Sequence, residues 1–427
     1  MDKQISTKDQ FRLWGHVAAH SFGGPAGQIA VIHKLVVEDK KLISEERFLH
    51  ALNFCMLLPG PEAQQLATYM GWLMNRWRGG LIAGGLFILP GFLSILALSY
   101  LYVIFNDSTV VQGIFYGMKP AIFAIVLAAL LRIASKALVN RFHRVLALCA
   151  FVAIFFFNLP FPLIIVVAAV MGIFLSGSRS TTETQNLALP STTQTLLTLT
   201  VWLGIWITPI ILTAMMFGTD STFHQMNLFF SKMAMVTFGG AYAVLSYVAQ
   251  MAVNVYGWVL APEMLDGLAM AETTPGPLIQ TVQFVGFMGA FRFPDVSSPY
   301  LAALIASILT TWMTFAPCFL WIFTFAPYVE FIREKKIFAD ALKGISAAVV
   351  GVICNLSLWF MLKTLFTESA RYQDFALDFE YPLLSSLDPY ASAICLIAMA
   401  LQFRFKRSLF QIIATSMIIG IIVRFIM

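Results

Sequence analysis

Leu57-Leu58-Pro59-Gly60-Pro61-Glu62-Ala63-Gln64-Gln65 has a counterpart in Thr273-Thr274-Pro275-Gly276-Pro277-Leu278-Ile279-Gln280-Thr281. In each, two prolines bracket a glycine within an apolar run. Proline removes a backbone donor and glycine opens unusual dihedrals, so a regular helix breaks at either triplet. The copies stand 216 residues apart, and so do Phe22-Gly23-Gly24 and Phe238-Gly239-Gly240. Two uncommon tripeptides that keep one spacing mark an internal duplication. Further on, Pro90-Gly91-Phe92 pairs with Pro317-Cys318-Phe319, and Gly117 with Gly344, at a spacing of 227. Ala121/Ala348, Lys136/Lys363 and Leu138/Leu365 keep that register, so the second half gains about eleven residues near Phe291–Pro299.

Around these motifs the composition is that of a membrane protein. Hydrophobic residues make up 59% of the 427 and charged residues only 11%, against about a quarter charged in soluble domains. Apolar runs recur at about 81–105, 113–135, 196–217, 300–326, 341–364, 384–402 and 409–426. Interrupted runs cover 11–36, 47–75, 226–253 and 263–291, and 145–176 is split at Asn158–Pro162. The expectation is an all-α polytopic fold, helical throughout. Residues 1–176 form the first repeat, 177–195 a Ser/Thr-rich linker, 196–225 a connecting span and loop, and 226–427 the second repeat. The polar N-terminus lacks a cleavable leader's apolar core, so the first membrane segment is expected to direct insertion.

Charge placement orients the halves. No Lys or Arg lies in Asn106-Asp107-Ser108 before the Gly117 helix, whereas Arg132, Lys136, Arg141 and Arg144 follow. Before the Gly344 helix lie Arg333, Lys335 and Lys336, and acidic Glu368, Asp374, Asp378 and Glu380 follow it. Basic loops stay cytoplasmic. Equivalent helices therefore run oppositely, an inverted-topology repeat, with a cytoplasmic N-terminus and an external C-terminus. The net charge of +5 reports this orientation rather than nucleic-acid binding.

Freed backbone groups in lipid need protein, water or ligand as partners, so interrupted helices at membrane depth line cavities. A half-helix that starts after Pro61 or Pro277 presents unpaired N–H groups and a positive dipole end, which suits an anion. The expected substrate site comprises Gly23, Gly24, Pro59, Gly60, Pro61, Gln64, Gln65, Lys119, Gly239, Gly240, Pro275, Gly276, Pro277 and Gln280. The glutamines are expected to donate from their amides. Glu62, present in the first half alone, and Glu272 are the candidate proton-coupling carboxylates. His16 and His20 share a helical face, but no acid or cysteine lies near them, and Cys55, Cys149, Cys318, Cys354 and Cys395 are scattered singly. Neither set points to a metal or a cofactor. His33, Lys34 and Arg47 form a polar stretch that can attract anions or simply lie in water. No nucleophile elbow, P-loop or HExxH is present, so no enzyme is expected.

Six runs carry a family resemblance: Phe22-Gly23-Gly24-Pro25-Ala26-Gly27-Gln28-Ile29-Ala30, Ser44–Leu49, Leu57–Ala67, Gly117-Met118-Lys119-Pro120-Ala121 and, in the second half, Thr274–Pro277 and Gly344–Val352. The chain closely resembles the chromate ion transporter family in its long, two-domain bacterial form. The resemblance implies a multi-pass carrier of the bacterial inner membrane. Such a carrier exports chromate, a tetrahedral dianion, driven by the membrane's electrochemical gradient, and confers chromate resistance; antiport with protons is the coupling expected here. Sulfate is the look-alike substrate, and a carrier of sulfate or another inorganic anion is the alternative. Implied partners are the anion, protons, the lipid bilayer and a second copy in a homodimer, with no nucleic acid. Gly91 stands where the family commonly has serine, and Ala241 where Pro25 has its counterpart, so two equivalent sites do not follow.

Overall fold

The computed structural model describes residues 5–22, 24–105, 107–175, 191–238, 240–329, 336–374 and 377–426. Among these, six helices are long and apolar enough to cross a membrane: Glu62–Ile104, Thr109–Ala137, Thr192–Phe217, Pro299–Tyr328, Ala339–Leu365 and Leu409–Ile426. Their outward faces are apolar; Leu196, Leu197, Ile211 and Met215 all stand exposed on Thr192–Phe217. In water such a surface aggregates, whereas in hydrocarbon it costs nothing.

Each of the four interrupted runs breaks at its motif. Thr7–His20 ends before Phe22, and Gly24–His33 starts afresh. Glu45–Leu57, capped by Ser44, stops before Pro59, and the next helix begins at Glu62. In the second half, Thr222–Met235 and Ala241–Asn254 flank Phe238, and Ala261–Thr273 and Leu278–Arg292 flank Pro275-Gly276-Pro277. Helices of 10–14 residues rise about 15–21 Å, short of a hydrocarbon core of about 30 Å. The 43-residue run Glu62–Ile104 is itself two arms, bent at Asn75 and Arg76, where Arg76 has φ +47°. Gly71 backs directly onto Gly79 across the bend. The corresponding arms of the second half, Thr281–Arg292 and Pro299–Phe325, are joined by 293–298, where the change of register falls.

The chain divides into two compact units that cut across the duplication. One comprises 1–97, 177–244 and 274–339, and the other 98–176, 245–273 and 340–427. The first is built on Trp14, Val17, Ile32, Phe48, Phe54, Leu66, Met70, Phe87 and Ile322, all essentially inaccessible. The second packs Thr109–Ala137 against Leu409–Ile426 through Gly113, Gly117 and Gly420, with Ala121, Ala124, Ala398 and Ile412 alongside. Small residues bring backbones close where lipid offers no hydrophobic drive.

The acid-rich loop after Leu365 carries a short hairpin: Ser369–Asp374 and Leu377–Pro382 pair antiparallel, Arg371 opposite Glu380 and Tyr372 opposite Phe379. Leu377-Asp378-Phe379-Glu380 alternates apolar and polar with the period of a strand, and Phe379 packs on Phe155 and Phe156. Hydrogen bonds from Arg371 hold the Asp378 carboxyl below its ordinary range.

Candidate substrate site

The motifs of the two halves meet within the first unit. Gly60 donates its N–H to Thr237 O at 2.8 Å, and Gly276 donates to Ser21 O at 2.9 Å. Gly60 and Gly276 are equivalents, and so are Ser21 and Thr237. Each Pro-Gly-Pro turn therefore sits against the residue just before the other half's Phe-Gly-Gly. Gln28 Nε2 adds a 2.6 Å bond to Gly276 O, a tie made once, because its counterpart Val244 has no donor. Gly60 has φ +132° and Gly276 φ +109°, and Gly24 and Gly240 have φ +73° and +97°. All four lie where side chains are strained. A Cβ on Gly276 would lie 3.0 Å from the Gly91 Cα, and one on Gly91 would lie 3.0 Å from Pro275 O. The glycine in place of serine at 91 therefore sits at a close backbone approach.

Half-helices begin immediately beyond these turns, and their first-turn N–H groups have no acceptor within the helix. Glu62 is the first residue of its helix, half-buried between buried Gly60 and Gln64. Gln64, Gln65 and Gln280 are almost wholly inaccessible, and each leaves its Oε1 without a hydrogen bond. Their bonds determine which amide atom is which. Gln65 Nε2 donates to Pro59 O at 2.8 Å. Thr68 Oγ1 gives its proton to Gln64 O, so it accepts from Gln64 Nε2 at 3.0 Å. Gln283 Nε2 donates to Phe92 O, so its Oε1 accepts from Gln280 Nε2 at 2.7 Å. The nitrogens expected to face an oxyanion are thus already engaged with the protein, Gln280 doubly, through Thr311 as well. Gln64 and Gln65 each use one of their two amide hydrogens in these bonds, so each keeps a second donor beside its open Oε1, whereas Gln280 keeps the open oxygen alone. Cys318 Sγ and Gln65 Nε2 both crowd the space beside Gly60.

Pro59, Gly60, Pro61, Gln64, Gln65, Pro275, Gly276, Pro277 and Gln280, with Gly24 and Gly240, all belong to the first unit. Gly23 and Gly239 lie outside the described residues. Lys119 and Glu272 belong to the second unit. There Lys119 Nζ lies 3.3 Å from Asp266 Oδ1, and Glu272 is 2% exposed. His20 Nδ1 hydrogen-bonds His16 O, and His33 lies between Glu38 at 3.2 Å and Glu45 at 2.6 Å. Sequence reasoning passed over Ser21, Thr237, Gln283 and Asp266. The first two were discoverable, because they keep the 216-residue spacing. Asp266 is an ionisable residue inside the apolar run 263–291, a signal open to the same reading as Glu62, whereas nothing local marks Gln283.

Paired discontinuous helices within apolar, multi-spanning architecture define a multi-pass membrane protein of the transporter class. The chromate transporter family matches residues 9–173 and 224–421, and the chain belongs to it. The chromate transport protein of Pseudomonas aeruginosa is 31% identical over 343 residues, covering 78% of this chain and 76% of that protein. That of Cupriavidus metallidurans is 27% identical, covering 78% and 77%. A probable chromate transport protein of Synechococcus elongatus is 26% identical, covering 82% and 83%. No solved structure matches the chain.

Proposed function

We propose that this protein exports chromate from the cytoplasm across a bacterial inner membrane, coupled to the proton gradient, and so confers chromate resistance. One observation carries the site assignment. The Pro-Gly-Pro turn of each half is hydrogen-bonded to the start of the other half's Phe-Gly-Gly break, which brings the half-helix starts together. Such starts suit a dianion, because their amides and dipoles are fixed before it arrives. The anion is held by the backbone around Gly24, Gly60, Gly240 and Gly276. Glu62, at the head of one such helix, is the carboxylate whose protonation accompanies transport. Reciprocal pairing of equivalent residues is what a two-fold relation produces, and the opposite placement of basic loops around the Gly117 and Gly344 helices supports inverted halves with the N-terminus cytoplasmic and the C-terminus external.

Inside-out vesicles carrying the protein test this reading. Energised vesicles are expected to accumulate radiolabelled chromate, with sulfate competing as a dianion of the same shape. Equal chromate content in vesicles with and without the protein refutes export. Sulfate accumulation that chromate fails to inhibit shifts the assignment to sulfate.

A further inference from the structure

Asp266 lies in Ala261–Thr273 with its side chain 4% exposed. Two other helices hold its oxygens. Lys119 Nζ, from Thr109–Ala137, lies 3.3 Å from Oδ1, and Tyr102 OH, from the far end of Glu62–Ile104, donates to Oδ2 at 3.0 Å. All three residues belong to the second unit. Among the described residues, the other charged group that bears on Asp266 is Glu263 on its own helix, whose Oε2 accepts from Leu260 N at 2.7 Å. A buried ion pair is poor evidence of stabilisation, because desolvation offsets most of the attraction. Ionisable residues within apolar spans more often serve transport. Nor does the duplication account for the pair, because Asp266 has His50 as its counterpart and Lys119 has Ser346.

We propose that Lys119 and Tyr102 form an oxyanion-binding position that the Asp266 carboxylate occupies in the empty protein, and that protonation of Asp266 yields the position to the transported anion. The inference rests on the chromate-transport reading above but reverses the sense of its coupling, from exchange against protons to movement with one proton, so that the membrane potential drives export against the pH gradient. An ammonium 3.3 Å from one carboxylate oxygen, which has no hydrogen bond of its own, and a phenol hydroxyl bonded to the other can take two oxygens of a tetrahedral dianion in the same places. While Asp266 is ionised it competes for both donors and repels the dianion. When it takes a proton from the aqueous phase, it loses its hold on Lys119 and the repulsion ends. Proton and oxyanion therefore bind together and move in the same direction. A dianion that leaves with one proton still carries one net negative charge, which an inside-negative potential drives outward.

Chromate uptake by the full-length protein in proteoliposomes, at clamped potential and varied pH on the chromate side, tests this. In the wild type, KM is expected to fall as that side is acidified. D266N should lower KM about tenfold at neutral pH, flatten its pH dependence to whatever Glu62 contributes, and slow turnover, because nothing then displaces the anion. D266E should keep the pH dependence. Y102F leaves both charges in place but removes a donor to the ionised carboxylate, so the pH midpoint should rise by about one unit. If D266N does not fold, Y102F decides alone, and an unmoved midpoint overturns the proposal. A wild-type pH profile in D266N overturns it, and so does stimulation by acid on the opposite side only. Absence of chromate flux from the wild-type protein at any pH removes the transport reading itself and this inference with it.

Discussion

Single residues set the geometry of the candidate site. Gly276 combines φ +109° with a 3.0 Å approach to Gly91, so any side chain there meets both backbone strain and a steric clash. Gly276→Ala is expected to cost about 1–3 kcal/mol and to lower the melting temperature in detergent while reducing chromate flux. Gly85→Ala, at a position where a Cβ meets nothing within 4 Å, should leave both unchanged. Equal melting temperatures for the two variants would mean that the Gly276 turn is unstrained. Glu62→Gln keeps the shape of the residue but removes its titrating charge. Its expected effect is loss of chromate accumulation against a gradient in energised vesicles, and unchanged accumulation removes Glu62 from the coupling role. Gln280 spends both amide hydrogens on Gln283 and Thr311, whereas Gln64 and Gln65 each spend one, a difference that amide composition alone cannot reveal.

At the scale of elements, motif chemistry sets where helices stop and small residues set where they touch. Gly113, Gly117 and Gly420 let Thr109–Ala137 and Leu409–Ile426 approach at backbone distance; a Cβ on Gly113 would lie 2.7 Å from the Ile421 Cα. Lipid-facing packing of this kind depends on close van der Waals contact. Gly117→Leu is therefore expected to separate the two helices and lower the melting temperature in detergent, measured by thermal shift. An unchanged melting temperature would show that the contact contributes nothing to stability. The β-hairpin 369–382 has a different basis. Its Arg371–Asp378 pair is exposed, and an exposed pair contributes little, so the packing of Phe379 on Phe155 and Phe156 is the main anchor.

At the scale of the whole molecule, each compact unit draws segments from both sequence halves. Neither half contains the residues of a complete unit. A chain cut in the polar stretch between 177 and 190 is therefore expected to confer chromate resistance when both pieces are co-expressed, and none when either is expressed alone. Resistance from one piece alone would mean that a half carries the whole transport path. Interleaving also explains why the duplication is legible yet does not delimit the units: equivalent segments of both halves gather in one unit, the two Pro-Gly-Pro turns in the first and the Gly117 and Gly344 helices in the second.

Residues close in the chain determined much of this protein without help from elsewhere. Low charge and long apolar runs require lipid as solvent, because too little polar surface exists for water. Pro59-Gly60-Pro61 and its copy interrupt helices because proline and glycine act on the backbone within a few residues. The 216-residue spacing records the duplication whatever the fold. Folding alone brought Gly60 to Thr237 and Gly276 to Ser21, paired Lys119 with Asp266, and selected which amide oxygens stay open. Those outcomes depend on which distant segments pack together, and hydrogen bonding between groups far apart in the chain leaves no local pattern to read.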